Sequence, residues 1–132
     1  AEALRAIDAV DVRVVGIAEA REAPRDEVAE ACFGGLSPYE VLVGERKVVG
    51  LSQVRRRAGT LLQAGIALRF DAPRLARLMG RDGSFAATLA GRAAGLRESG
   101  VSADADGVVG AVDAVLAERL GPAAVQGDRP GP

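Results

Sequence analysis

Two side chains stand out as able to do covalent chemistry. Cys32 is the only cysteine and Lys47 the only lysine, against sixteen arginines, and there is no histidine. A thiol attacks as its thiolate, so at neutral pH a nucleophilic cysteine needs a nearby cation or a helix N-terminus. Without histidine, Lys47 is the obvious candidate to support Cys32, although an arginine could serve. Fifteen positions separate the two, a distance that a loop folding over a hairpin can close. The competing readings are plain ones. Cys32 can be a small buried hydrophobe. Lys47 can be an exposed strand residue whose stem lies along apolar surface while its head stays wet. Gly34 and Gly35, beside Cys32, mark a chain that bends closely there.

The elements that must position this pair are legible around it. "YEVLV" and "RKVVGLSQ" flank Gly44-Glu45, a two-residue connection with glycine first, as a type II′ hairpin prefers. That turn sets a register: Val43 opposite Arg46, Leu42 opposite Lys47, Val41 opposite Val48, and Tyr39 opposite Gly50. "RRRAG" reads as the next turn and "TLLQAGIAL" as a third strand. Alternation places Lys47, Val49, Leu51 and Gln53 on one face, with Arg46, Val48, Gly50 and Ser52 on the other. Lys47 therefore sits at the border of an apolar surface, where a partly desolvated ammonium is a stronger partner for an anion. Arg55 to Arg57 read as solvated turn charge, or as a basic patch that docks an acidic partner or a phosphate.

Upstream, "EALRAIDA" reads as a short helix and "DVRVVGIA" as a strand. "EAREAPRDEVAEA", broken by Pro24, is a connecting loop with at most a turn of helix. Downstream the period changes. Asp71 is an N-cap for "APRLARLM", which places Leu75, Leu78 and Met79 on one face and stops at Gly80. Ser84 caps a second helix, "FAATLAGRAAGLRES", running to Gly100. A third, "DGVVGAVDAVLAERL", aligns Val108, Val112, Val115, Leu116 and Leu120 before Gly121-Pro122. The fold class is α+β, an antiparallel β-meander followed by helices. Residues 1–122 form one domain and 123–132 a flexible tail.

Composition narrows the function classes. The 132 residues carry a net charge of −1, with 48% hydrophobic and 27% charged residues, so no global basic field recruits nucleic acid or an anionic membrane. One cysteine excludes an internal disulfide and a thiolate metal cluster. The lack of histidine excludes Ser-His-Asp and Cys-His arrangements within the chain, and no metal site is expected. No stretch approaches a membrane span. The first residues, with Glu2 and Arg5, do not read as a secretory leader, so the expected location is cytoplasmic.

The stretch "CFGGLSPYEVLVGERKVVGLSQVRRRAGTLLQAGIAL" resembles the biotin/lipoate A/B protein ligase family, in its lipoate-protein ligase and octanoyltransferase branch. The pattern K-x-x-G-x-(A/S)-Q-x-R stands here as Lys47, Gly50, Ser52, Gln53 and Arg55. The resemblance covers residues 32 to 70 and implies part of a class II aminoacyl-tRNA synthetase/biotin-ligase-like fold. It implies Cys32 as acyl acceptor from an octanoyl thioester of acyl carrier protein, and a lysine of a lipoyl-domain protein as final acceptor. Lys47 would favour the thiolate and stabilise developing oxyanion charge. Gly50, Ser52, Gln53 and Arg55 would belong to the substrate pocket. Under the sister activity, ATP-dependent lipoate-protein ligase, Lys47 would serve the acyl-adenylate, with ATP and Mg as cofactors and Cys32 incidental. A third reading is a non-catalytic accessory half-domain that binds an acidic carrier protein through Arg55 to Arg57.

Two departures from the family pattern bear on completeness. The family's upstream arginine- and glycine-rich segment with its histidine has no counterpart here. Ala64-Gly65 also stands where many relatives carry His-Gly. The chain is therefore expected to be the C-terminal part of a catalytic domain, completed by an upstream segment or second chain.

Overall fold

A computed structural model describes residues 1–121; the expected tail over 123–132 lies outside the described residues. Four strands form one antiparallel sheet in the order β1 (Val12–Val14), β2 (Val41–Val43), β3 (Arg46–Arg56), β4 (Gly59–Ile66). Five helices surround it: α1 (Glu2–Arg5), α2 (Ile17–Glu22), α3 (Ala72–Leu78), α4 (Gly83–Arg92) and α5 (Ala105–Leu120). The class is α+β, as the pattern of periods implied. The segment read as a loop holds α2 and a 3-10 turn over Glu27–Glu30, separated by Pro24, which cannot continue a helix.

The first hairpin turns as read: Gly44 takes φ +59 while Glu45 stays at negative φ, as a type II′ turn requires. Its register departs from simple counting after two pairs. Val43 pairs with Arg46 and Leu42 with Lys47, but Val41 pairs with Val49, not Val48. Val48 is thus an additional residue in β3, a β-bulge. Tyr39 does not reach the strand either; it takes φ +70 and its side chain is exposed. At the other end, Arg55 and Arg56 belong to β3, opposite Thr60 and Gly59, so the turn is Arg57-Ala58.

Two apolar clusters hold the molecule. One joins the sheet to α1, α5 and the segment after α4, through Leu4, Val41, Val48, Val49, Leu96 and Val108. The other packs Val28 and Ala31 against α3 and α4, through Ala72, Ala76, Phe85 and Leu89. In α3 the buried face is the alanine one, and Leu78 points to solvent. Asp71 caps it as expected, accepting from the Arg74 N–H at 2.8 Å. The cap of α4 is Asp82 and not Ser84; its carboxylate accepts from the Ser84 and Phe85 N–H groups. That helix does not run to Gly100. It ends at Arg92, because Ala93 turns extended and bridges to Lys47 as a stub of parallel strand.

The second cluster anchors the segment that leads to Cys32, and an ion pair reinforces it. Arg92 donates to both oxygens of Asp26 at 2.7 and 2.5 Å, the fork geometry that makes arginine–carboxylate pairs strong. The guanidinium lowers the Asp26 carboxyl from 3.8 to about 2, with the Ala29 N–H adding to the shift. A depressed folded-state value means the pair stabilises above 3.8 and that this contribution is lost as pH falls toward about 2. Acid unfolding followed by circular dichroism should be shallower in that window in Asp26→Asn. An unchanged curve would dissociate the pair from stability.

Candidate active site

Cys32 sits at the apex of a tight turn between the 3-10 turn and β2. The Gly34 N–H donates to the Ala31 carbonyl at 2.8 Å, and Phe33 takes φ +68 at the third position. That is a type II arrangement, in which this position normally belongs to glycine. A phenylalanine there is strained, and such outliers concentrate at functional sites. Gly34 has no alternative: a Cβ on it would lie 1.8 Å from the Val28 carbonyl oxygen. Gly35 is nearly as confined, its Cβ position being 2.9 Å from the Ala29 carbonyl oxygen. The reading of Gly34-Gly35 as a close bend thus has a steric cause. The Cys32 thiol is exposed at this apex and is not a buried hydrophobe.

Lys47 is not exposed. It is 6% accessible, and its ammonium donates to Glu40 Oε2 at 2.9 Å and to the Gly35 carbonyl at 2.6 Å. The ring of Phe33 lies 5.3 Å from the same nitrogen, a cation–π contact. Glu40 is itself buried at 3% and fully engaged. Its Oε2 also accepts from the Ser37 N–H at 2.8 Å, and its Oε1 accepts from the Leu51 N–H at 3.1 Å. Among the described residues no buried side-chain nitrogen or oxygen lacks a partner. A buried ion pair persists only when its remaining hydrogen-bonding capacity is met in this way.

Glu40 is the residue that pattern reading missed. The signal was present: a carboxylate leading directly into the buried run Val41–Val43 needs a cation, and Leu42 pairs with the lone lysine. The bulge explains the rest. Because Val48 and Val49 both enter the sheet-side core, Lys47 shares a face with Gly50 and not with Val49 and Leu51. The Phe33 ring spans both, sitting 3.6 Å from the Cβ position of Gly50 while facing the ammonium. Phe70 backs that ring at 5.7 Å.

The structure therefore brings together Lys47, Gly50 and the turn that carries Cys32. It does not join Lys47 to Cys32 by a hydrogen bond. Nor does it bring in Ser52, Gln53 and Arg55, which lie exposed farther along β3. Ser52 bonds only to Gln63, at 3.3 Å. A cavity of about 610 Å³ opens against Lys47, within the size range of small-molecule sites. Ile17, Ala20, Pro24, Phe33 and Leu36 give it apolar walls, and Arg21 and Arg25 also line it. Ala31 and Phe33 line it too, so Cys32 stands between two lining residues.

With this geometry in view, likeness to known proteins becomes informative. No family profile matches the chain, and no solved structure matches it. Two curated octanoyltransferases do. Octanoyltransferase LipM of Symbiobacterium thermophilum is 44% identical over 64 residues, which is 48% of this chain and 23% of that protein. Octanoyltransferase LipM of Clostridioides difficile is 41% identical over 56 residues, 42% of this chain and 20% of that protein. Each match thus spans less than a quarter of the relative's length. The likeness supports the lipoate-protein ligase/octanoyltransferase resemblance carried by the lysine strand.

Proposed function

We propose that this chain carries the cysteine–lysine part of an octanoyltransferase site acting in protein lipoylation. The observation that carries the reading is the exposed Cys32 on a strained turn, beside a cavity of mixed apolar and cationic walls reached by Lys47, in a chain similar to two octanoyltransferases. The Cys32 thiolate attacks the carbonyl of an octanoyl thioester on acyl carrier protein, forms a new thioester and releases the carrier thiol. The amine of a lipoyl-domain lysine then attacks that thioester, forms an amide and frees Cys32. Lys47 supplies positive charge toward the acyl oxygen, and the apolar walls take the alkyl chain at about 0.8 kcal/mol per buried CH₂. Gly50 seats Phe33 against the site, while Ser52, Gln53 and Arg55 belong to its outer approach. Both relatives are named as transferases, which favours thioester transfer over ATP-dependent ligation. The chain would be the C-terminal part of a class II synthetase-like catalytic unit, completed by an upstream segment or a second chain, and cytoplasmic. Among the described residues no helix is long and apolar enough to cross a membrane.

The test is mass spectrometry after incubation with octanoyl carrier protein and no ATP, with the upstream or partner segment supplied. A single octanoyl adduct should form on the parent chain and be absent from Cys32→Ser. An adduct that persists in Cys32→Ser, or activity only with ATP, overturns the reading. Lys47→Arg should slow adduct formation by about 100-fold or more, because a planar fork cannot replace a compact donor held between Gly35 and Glu40.

A further inference from the structure

Beyond the site, β3 and β4 continue as a two-stranded ribbon that none of the described residues covers. Every residue from Leu51 to Gly65 is exposed, and the ribbon extends about 20 Å at the usual strand rise. Its charge is one-sided. From Leu51 to Gly65 there are three cations and no carboxylate, in a chain holding 17 cations and 18 carboxylates. Arg55, Arg56 and Arg57 at its end have no ion-pair partner among the described residues, whereas Arg13, Arg81, Arg92 and Arg119 are all paired. Beside them the ribbon exposes Leu51 at 41% and Leu62 at 72% on one face, and Val54 at 40% and Leu61 at 56% on the other. Val54 and Leu61 are cross-strand neighbours, and alternation places them with Arg56 on the face that also carries Gly50.

We propose that this face of the ribbon docks the acceptor protein, a lipoyl domain presenting carboxylates around an apolar centre. Val54 and Leu61 would form the apolar contact, with Arg56 and Arg57 as its cationic rim. The inference rests on the octanoyl-transfer reading for the acceptor's identity. The charge complementarity and exposed apolar pair come from the ribbon itself. Continuity of the face with Gly50 and Phe33 sets the direction in which a docked lysine approaches. A long polyanion fits poorly, since the acidic residues are spread over the rest of the chain and would repel it. A two-stranded ribbon is marginal when uncovered, so a partner on this face also orders it.

Titration of the full chain with an unmodified lipoyl domain, read by calorimetry or anisotropy, tests this without any chemistry. R56E/R57E should weaken binding at least about tenfold and reduce its salt dependence, and L61S should weaken it without altering that dependence. The control R74E/R77E, with the same charge change on α3, should leave binding within about threefold. Unchanged binding in R56E/R57E overturns the proposal. Equal loss in the control does so too, because it would show general attraction, as would preferential binding to anionic vesicles or an oligonucleotide. Cys32 acylation by a small octanoyl thioester, measured separately, distinguishes failure of docking from failure of the transfer reading.

Discussion

Glu40→Ala should destabilise the chain by about 3–5 kcal/mol, the cost of leaving a buried charge without its partner. That is a large share of the 5–15 kcal/mol typical of a small domain. The buried carboxylate does more than neutralise Lys47. It also accepts the Ser37 and Leu51 N–H groups, so its loss strips the ammonium of its counter-charge and orphans two backbone donors. Urea denaturation should show the midpoint falling with little change in slope. The double variant Glu40→Leu/Lys47→Met should recover most of the stability, because an apolar pair removes both charges together. It should still be inactive in octanoyl transfer, which separates what Lys47 does for folding from what it does for chemistry. A Glu40→Ala chain as stable as the parent would refute the buried pair as the organiser of this site.

Gly34→Ala should cost about 3 kcal/mol or more, since its new methyl would coincide with the Val28 carbonyl. The obstacle is backbone, which cannot rotate aside as a side chain would. Relief requires moving the Glu27–Glu30 turn away from α3 and α4, and with it the apex that presents Cys32. The variant should therefore lose thermal stability and octanoyl-adduct formation together. Gly50→Ala is the contrast: its Cβ would meet Phe33 at 3.6 Å, an ordinary contact. A Gly34→Ala chain that melts with the parent would show that the 3-10 turn yields.

Sequence patterning recovered the elements more fully than their relations. The Gly44-Glu45 turn, the caps by Asp71 and the strand carrying Lys47 were readable because each depends on a few adjacent residues. The bulge at Val48 was not readable. An added residue leaves the valine run looking the same, and only the competition between two apolar surfaces decides which way Lys47 turns. The early end of α4 was hidden for a similar reason. "GRAAG" has fair helical propensity, but Ala93 gains a bridge to the Lys47 strand that no local rule contains. Glu40 was missed because its partner lies across a hairpin rather than along a helix. Cys32 was legible as a candidate nucleophile from its type alone, but the positive φ of Phe33 in the turn that carries it is visible only in three dimensions.

The bulge also has a consequence for how this stretch can vary. It acts as a phase shift in the two-residue alternation of the strand. Upstream of it, side chains keep step with the hairpin turn; downstream, they keep step with β4. Lys47 and Gly50, three positions apart, can therefore share one wall, which odd spacing forbids on an uninterrupted strand. Removal of one of the two valines between them would abolish the bulge and leave Lys47 and Gly50 two positions apart, still on one wall, but would take a valine out of the core. The bulge thus lets the strand place a second valine in the core without changing the wall that Lys47 and Gly50 share.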